Sequence, residues 1–125
     1  MTDGEREGGA VRELAGEQVL LRIFLGDADR VGHRAAWEAI LQRLRAEGLA
    51  GASVFHGQAG FGASSVIHTG KLLEMSSDLP VLIEVVDARE RVEAALARLD
   101  DLIRDLGVLI TMENVRVIRY EKRSS

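Results

Sequence analysis

The nine residues Leu79–Asp87, LPVLIEVVD, decide what the rest of the chain can be. They are β-branched or apolar at almost every position, and Glu84 alone breaks the pattern before the closing aspartate. Apolar side chains on both sides of a pleated strand predict a strand covered on both faces rather than one washed by water. Whatever surrounds this strand must therefore supply two covers.

The segment that follows offers one of them. Asp87 stands where a helix cap belongs, with Glu90 three residues on as the other half of a capping box. Val92, Ala95, Leu96, Leu99, Leu102, Ile103 and Leu106 then fall on one stripe at helical spacing, and Gly107 closes the helix. Asp100 and Arg104 form a favourable i,i+4 pair on the outside. LITMENVRVIRY, 109–120, reads as one or two further strands before the basic end EKRSS.

Towards the N-terminus the same grammar repeats. VLLRIFL, Val19–Leu25, sets Val19, Leu21, Ile23 and Leu25 on one face and Leu20, Arg22 and Phe24 on the other. After Gly26 and the DADR turn, HRAAWEAILQRLRAEG predicts a helix that starts at His33. Its stripe is Ala36, Trp37, Ile40, Leu41 and Leu44, and it ends at Gly48 in the left-handed conformation. ASVFHG, 52–57, is a strand leading into a glycine-rich bend, and TGKLLEM, 69–75, reads as one or two helical turns. Residues 1–16 read as a mobile acidic tail, 17–121 as the folded domain and 122–125 as a short basic tail.

The order is β-α-β, a loop, then β-α-β. Such a split βαβ repeat predicts an α+β ferredoxin-like βαββαβ sandwich: a four-stranded antiparallel sheet with two helices on one face. Two helices cover one side only, while the first and third strands are apolar on both. The bare side is expected to bury against another copy of the chain, which predicts a homo-oligomer. Arg22 and Glu84 interrupt that bare side on neighbouring strands, and are expected to form a partly buried ion pair.

Composition narrows the function. Net charge is −4, and most of the excess acid lies in residues 1–17, leaving a near-neutral body with no electrostatic footprint for nucleic acid. No cysteine is present, so thiolate chemistry and disulfides are excluded. No apolar run approaches the ~20 residues of a membrane span, and the acidic start does not read as a secretory signal; a cytoplasmic protein without direct membrane insertion is expected. The three histidines share no short spacing, so no metal site is expected.

GLAGASVFHGQAGFG, 48–62, followed by SSVIH, SSDLPVLIEVVD and VRVIRY, resembles the PII-like signal-transduction proteins, in the branch known as domain of unknown function 190. The likeness runs from about Glu17 to Tyr120. It implies a non-enzymatic regulator that assembles as a homotrimer. It also implies an adenine nucleotide (AMP, ADP, ATP or a cyclic dinucleotide) bound in clefts between subunits, and a loop, 61–78, that contacts a protein partner such as a membrane transporter. Gly60-Phe61-Gly62 matches the turn that opens this loop in the family. The chain departs from the pattern: segment 63–78 is shorter, with no arginine beside that turn and no tyrosine to carry a nucleotidyl modification, and Asp105–Val108 lacks the glycine- and lysine-rich phosphate-binding turn.

The candidate ligand residues are therefore Gly57, Gly60, Phe61, Gly62, Ser64, Ser65, His68, Lys71, Arg116 and Arg119. Glycines admit a phosphate or base close to backbone N–H groups, hydroxyls and His68 can hydrogen-bond it, and the cations can neutralise it. The same glycines equally suit a sharp exit from the sheet. No catalytic residue is assigned. The alternative reading is a small oligomeric enzyme with an interface site, using His68 or His56 as base and Glu84 as its partner.

Overall fold

The computed structural model describes residues 14–62, 67–69 and 78–121. Strand β1 (Gly16–Gly26) leads into a small hairpin of β2 (Arg30–Val31) and β3 (Arg34–Ala35), then helix α1 (Ala36–Ala46) and strand β4 (Ser53–His56). Two short strands, β5 (Ala59–Gly60) and β6 (His68–Thr69), precede β7 (Pro80–Asp87), helix α2 (Arg89–Ile103) and β8 (Leu109–Val117). The main sheet has the order β4-β7-β1-β8 and every neighbouring pair in it is antiparallel. This is the ferredoxin-like arrangement that the repeat predicts.

Strand alternation and helix periodicity meet in one core. Val19, Leu21 and Ile23 of β1 and Val81, Ile83 and Val85 of β7 are almost wholly buried, as are Ile40 and Leu44 of α1 and Val92 and Leu99 of α2. Side chains two apart on a strand share a face, so these positions define the side that the helices cover. The other side carries Leu20, Arg22 and Phe24 against Val86, Glu84 and Leu82, paired residue for residue across β1 and β7. No helix covers it, and its apolar residues are only half-buried.

Local punctuation differs from the sequence reading at several points. Helix α1 starts three residues after His33, because Gly32, at φ 61, folds RVGHRA into the β2–β3 hairpin. Helix α2 has Ala88 as its N-cap, one residue past the expected Asp87, which belongs to β7. The helix ends at Ile103, and Leu106 N–H donates to Ile103 O at 3.0 Å in a turn that precedes Gly107. Of the one or two strands expected over 109–120, one forms, at Leu109–Val117. Gly48 does end α1's turn in the left-handed region, at φ 82. Of the helical turn predicted over 69–75, Thr69 lies in β6 and the rest is outside the described residues. Of the two tails, 1–13 and 122–125 are likewise outside them, whereas Leu14 is buried at 7% exposure and its N–H donates to Tyr120 O at 3.3 Å.

Candidate functional site

The glycine-rich bend is built on Pro80. Gly57 N–H donates to Pro80 O at 2.7 Å, which extends the β4–β7 ladder by one step. A Cβ on Gly57 would lie 2.6 Å from Pro80 Cγ, and one on Gly60 would lie 3.1 Å from it. Side chains are excluded here by a rigid ring, so sterics demand glycine at Gly57 and press for it at Gly60. Gly62 differs: a Cβ there would meet nothing within 4 Å. Gly60 pairs with His68, and Ala59 with Thr69, so the backbones of the two arms run side by side. Phe61 at the tip is 69% exposed. Ser64, Ser65 and Lys71 lie outside the described residues.

A second feature sits at the opposite end of the sheet, on the side that no helix covers. After β8 the chain crosses back over the sheet, and Tyr120 Oη donates to Ala50 O at 3.0 Å. The result is a recess of about 450 Å³. Leu14, Val86, Val117 and Tyr120 make its apolar walls, and Ser53, Glu84 and Arg119 supply polar groups. Its backbone floor at Ala50 is held by Asp87, whose Oδ2 accepts Ala50 N–H at 2.8 Å while Oδ1 accepts Ala88 N–H at 2.7 Å. Tyr120→Phe removes the hydroxyl bond at a half-exposed position. It should lower unfolding free energy by about 1 kcal/mol in urea titration.

Glu84 is held from behind. Arg22 donates from Nε to Glu84 Oε2 at 3.0 Å and from Nη1 to Glu113 Oε1 at 2.8 Å, which links β7, β1 and β8 across the open face. The expected Arg22–Glu84 pair thus forms with a second carboxylate added. The hydrogen bond from Glu84, then that from Glu113, raises the guanidinium pKa above its ordinary value, against a smaller opposing effect of burial. Arg22 therefore stays charged at every accessible pH.

The candidate residues fall into two groups. Gly57, Gly60, Phe61, Gly62 and the backbone of His68 gather at the Pro80 end, which pairs with Gly26. Arg116 pairs with Glu17 and Arg119 lines the recess, both near the start of β1. Those ends are separated by the length of β1, about 30 Å at ~3.3 Å per residue. One chain by itself does not bring the two groups together. Ser53, Val86 and Tyr120 were not among the residues expected from sequence to line a ligand site, and Glu84 was named only as the carboxylate of the enzymatic alternative. Their only common signal is proximity after folding.

Of the pairings named for the enzymatic alternative, that of His56 with Glu84 does not form within the chain; the His68 side chain lies outside the described residues. His56 pairs with Val81 on the helix side, where its ring meets Trp37 edge-on at 5.1 Å, whereas Glu84 points to the open face. The carboxylate near His56 is that of Asp27, at 3.8 Å from Nδ1, and both side chains are about half exposed. Among the described residues no group of three or more His, Cys, Asp and Glu could hold a metal ion, and no helix is long and apolar enough to cross a membrane.

Comparison with known proteins adds the family. Residues 18–117 match the model of the DUF190 family, described as "Uncharacterized ACR, COG1993". A UPF0166 protein of Aquifex aeolicus is 34% identical over 99 residues, covering 79% of this chain and 91% of its own. One from Methanocaldococcus jannaschii is 32% identical over 91 residues, covering 73% and 83%.

Among solved structures, CPII of Thiomonas intermedia superposes with a TM-score of 0.61 at 18% identity, covering 86% of this chain and 92% of that one. That protein is described as a nitrogen regulatory PII-like protein bound to ADP, AMP and bicarbonate. A PII-like signaling protein of Thermus thermophilus gives 0.56 at 15% identity, covering 82% and 90%. Family match, curated relatives and sheet order agree: this chain belongs to the DUF190 family and has the fold of PII-like proteins.

Proposed function

We propose that this protein is a non-enzymatic PII-like regulator that binds an adenine nucleotide between subunits and answers to it through residues 61–78. The observation that carries the reading is the recess beside Tyr120. It joins an apolar wall wide enough for a base to the Ser53 hydroxyl and the Arg119 guanidinium. Ligand pockets characteristically combine such walls with a few placed polar groups. A nucleotide with its base in the recess of one subunit can turn its phosphates towards Gly60–Gly62 of a neighbour. CPII, with the same fold, is described with ADP and AMP bound, which supports the ligand class.

Assembly follows from the open face. Leu20, Phe24, Leu82 and Val86 are half-buried there, and Phe55 and Leu109 are 52% and 58% exposed. A contiguous apolar surface of this kind is relieved by a second copy; the count of three rests on the resemblance to PII proteins. In a trimer the turn Gly57–Gly62 of one subunit, together with Ser64, Ser65, His68 and Lys71, can face Arg116 and Arg119 of a neighbour. A nucleotide touching both sets would then order the loop and change its affinity for a protein partner.

Titration calorimetry with AMP, ADP, ATP and cyclic dinucleotides should give binding by at least one, and light scattering on the eluted protein should give three chain masses. Silence across the whole panel would refute the nucleotide reading. A dilute, folded monomer would refute the inter-subunit cleft.

A further inference from the structure

Glu84 lines the recess with one oxygen occupied and one open. Its Oε2 takes the hydrogen bond from Arg22 Nε, while Oε1 accepts nothing from any described residue. The side chain is 31% exposed and lines the recess, so the carboxylate is within reach of whatever enters. Glu84 sits beside Ser53 and Val86 in the wall, and Arg22, behind it, is not among the lining residues. An ionised carboxylate accepts hydrogen bonds and donates none. It therefore rewards an amine or hydroxyl at this point and repels a phosphate by like charge.

We infer that Glu84 is the specificity-determining group of the recess, selecting a ligand edge that donates hydrogen bonds, and that Arg22 is its positioning residue. This rests on the recess being the nucleotide site, and it adds what that site reads. The matching edges on an adenine nucleotide are the 6-amino group of the base and the hydroxyls of the ribose. The phosphates must point away from Glu84. Arg22 contributes without touching the ligand: it fixes one oxygen so that the other is aimed, and Glu113 holds Arg22 from the far side at 2.8 Å.

Calorimetry on the full chain with ADP, inosine diphosphate, 2′-deoxy-ADP and 3′-deoxy-ADP tests this from the ligand side, with no variant needed. Inosine diphosphate replaces the amino donor by an oxo acceptor, and each deoxy analogue lacks one hydroxyl. At least one analogue should bind roughly ten- to hundredfold more weakly than ADP, the range for a hydrogen bond to a charged group. Glu84→Met should bring that analogue to within about twofold of ADP. Arg22→Met should narrow the discrimination and Arg22→Lys should restore part of it. Uniform weakening of all four nucleotides by Arg22→Met would leave Arg22 a structural residue and overturn its positioning role. Equal binding of all four by the unaltered protein, or full discrimination in Glu84→Met, overturns the role of Glu84 while leaving the nucleotide reading intact. Binding of none of the four overturns the role of Glu84, and the nucleotide reading falls with it if AMP, ATP and cyclic dinucleotides are silent as well.

Discussion

Replacing Asp87 by alanine is expected to lower the unfolding free energy by about 3 kcal/mol, the cost of losing two hydrogen bonds to a buried charged group and leaving partly buried N–H donors unmet. The carboxylate is fully buried and accepts from Ala50 N–H at 2.8 Å and Ala88 N–H at 2.7 Å. It thereby ties the end of β7 to the loop that precedes β4 and to the entry of α2. For a domain of this size the loss should depress the melting temperature by roughly 10–20 °C. Asp87→Asn, which keeps an acceptor oxygen, should lose less. The floor of the recess depends on the same contact, so a folded Asp87→Ala protein should also bind nucleotide more weakly at a temperature where both proteins are native. Urea titration and calorimetry read the two effects separately; unchanged stability would show that Ala50 and Ala88 find other partners at no cost.

The second large effect is expected at Gly57. A Cβ there would stand 2.6 Å from Pro80 Cγ and 3.3 Å from Pro80 O, closer than real side chains come to a ring with no rotamer to yield. Gly57→Ala should cost about 2–3 kcal/mol, as overpacking does. The strain falls on the hydrogen bond that joins β4 to β7 at this end. Gly62→Ala makes the comparison, since a Cβ at Gly62 meets nothing within 4 Å and its φ is not left-handed. Its stability should match that of the unaltered protein within about 0.5 kcal/mol. A loss of nucleotide affinity confined to Gly62→Ala would then assign that glycine to the ligand rather than to the fold.

These two glycines show why the bend was only partly legible. In sequence Gly57, Gly60 and Gly62 look alike, and both uses of glycine suit all three. They part company on whether Pro80, about twenty residues away in sequence, is underneath. The histidines behave similarly. His56 and Glu84 are both near strand centres in the sequence and were natural partners for acid–base chemistry. A strand's alternation sends one to the helix side and the other to the open face. Asp87 shows a further limit: its place before a helical stripe suggested a cap, whereas its carboxylate is taken by the backbone of Ala50, 37 residues earlier.

What the amino-acid order determined by itself is the set of elements and the layer they build. Leu79–Asp87 and Val19–Leu25 are near-continuous runs of strand-forming apolar residues, the stripes of α1 and α2 recur with the helical period, and each depends on dihedral angles and side-chain directions within a few residues. The two-helix, four-strand sandwich follows, and with it an apolar side left without a cover. Tertiary structure alone decided where the chain makes a hollow. The recess exists because Tyr120 reaches back 70 residues to Ala50, because Leu14 closes beside it, and because Arg22 stands between Glu84 and Glu113 on three different strands. Contacts of that separation leave no periodic trace in a sequence, since nothing local distinguishes a tyrosine that will span the sheet from one that will face water.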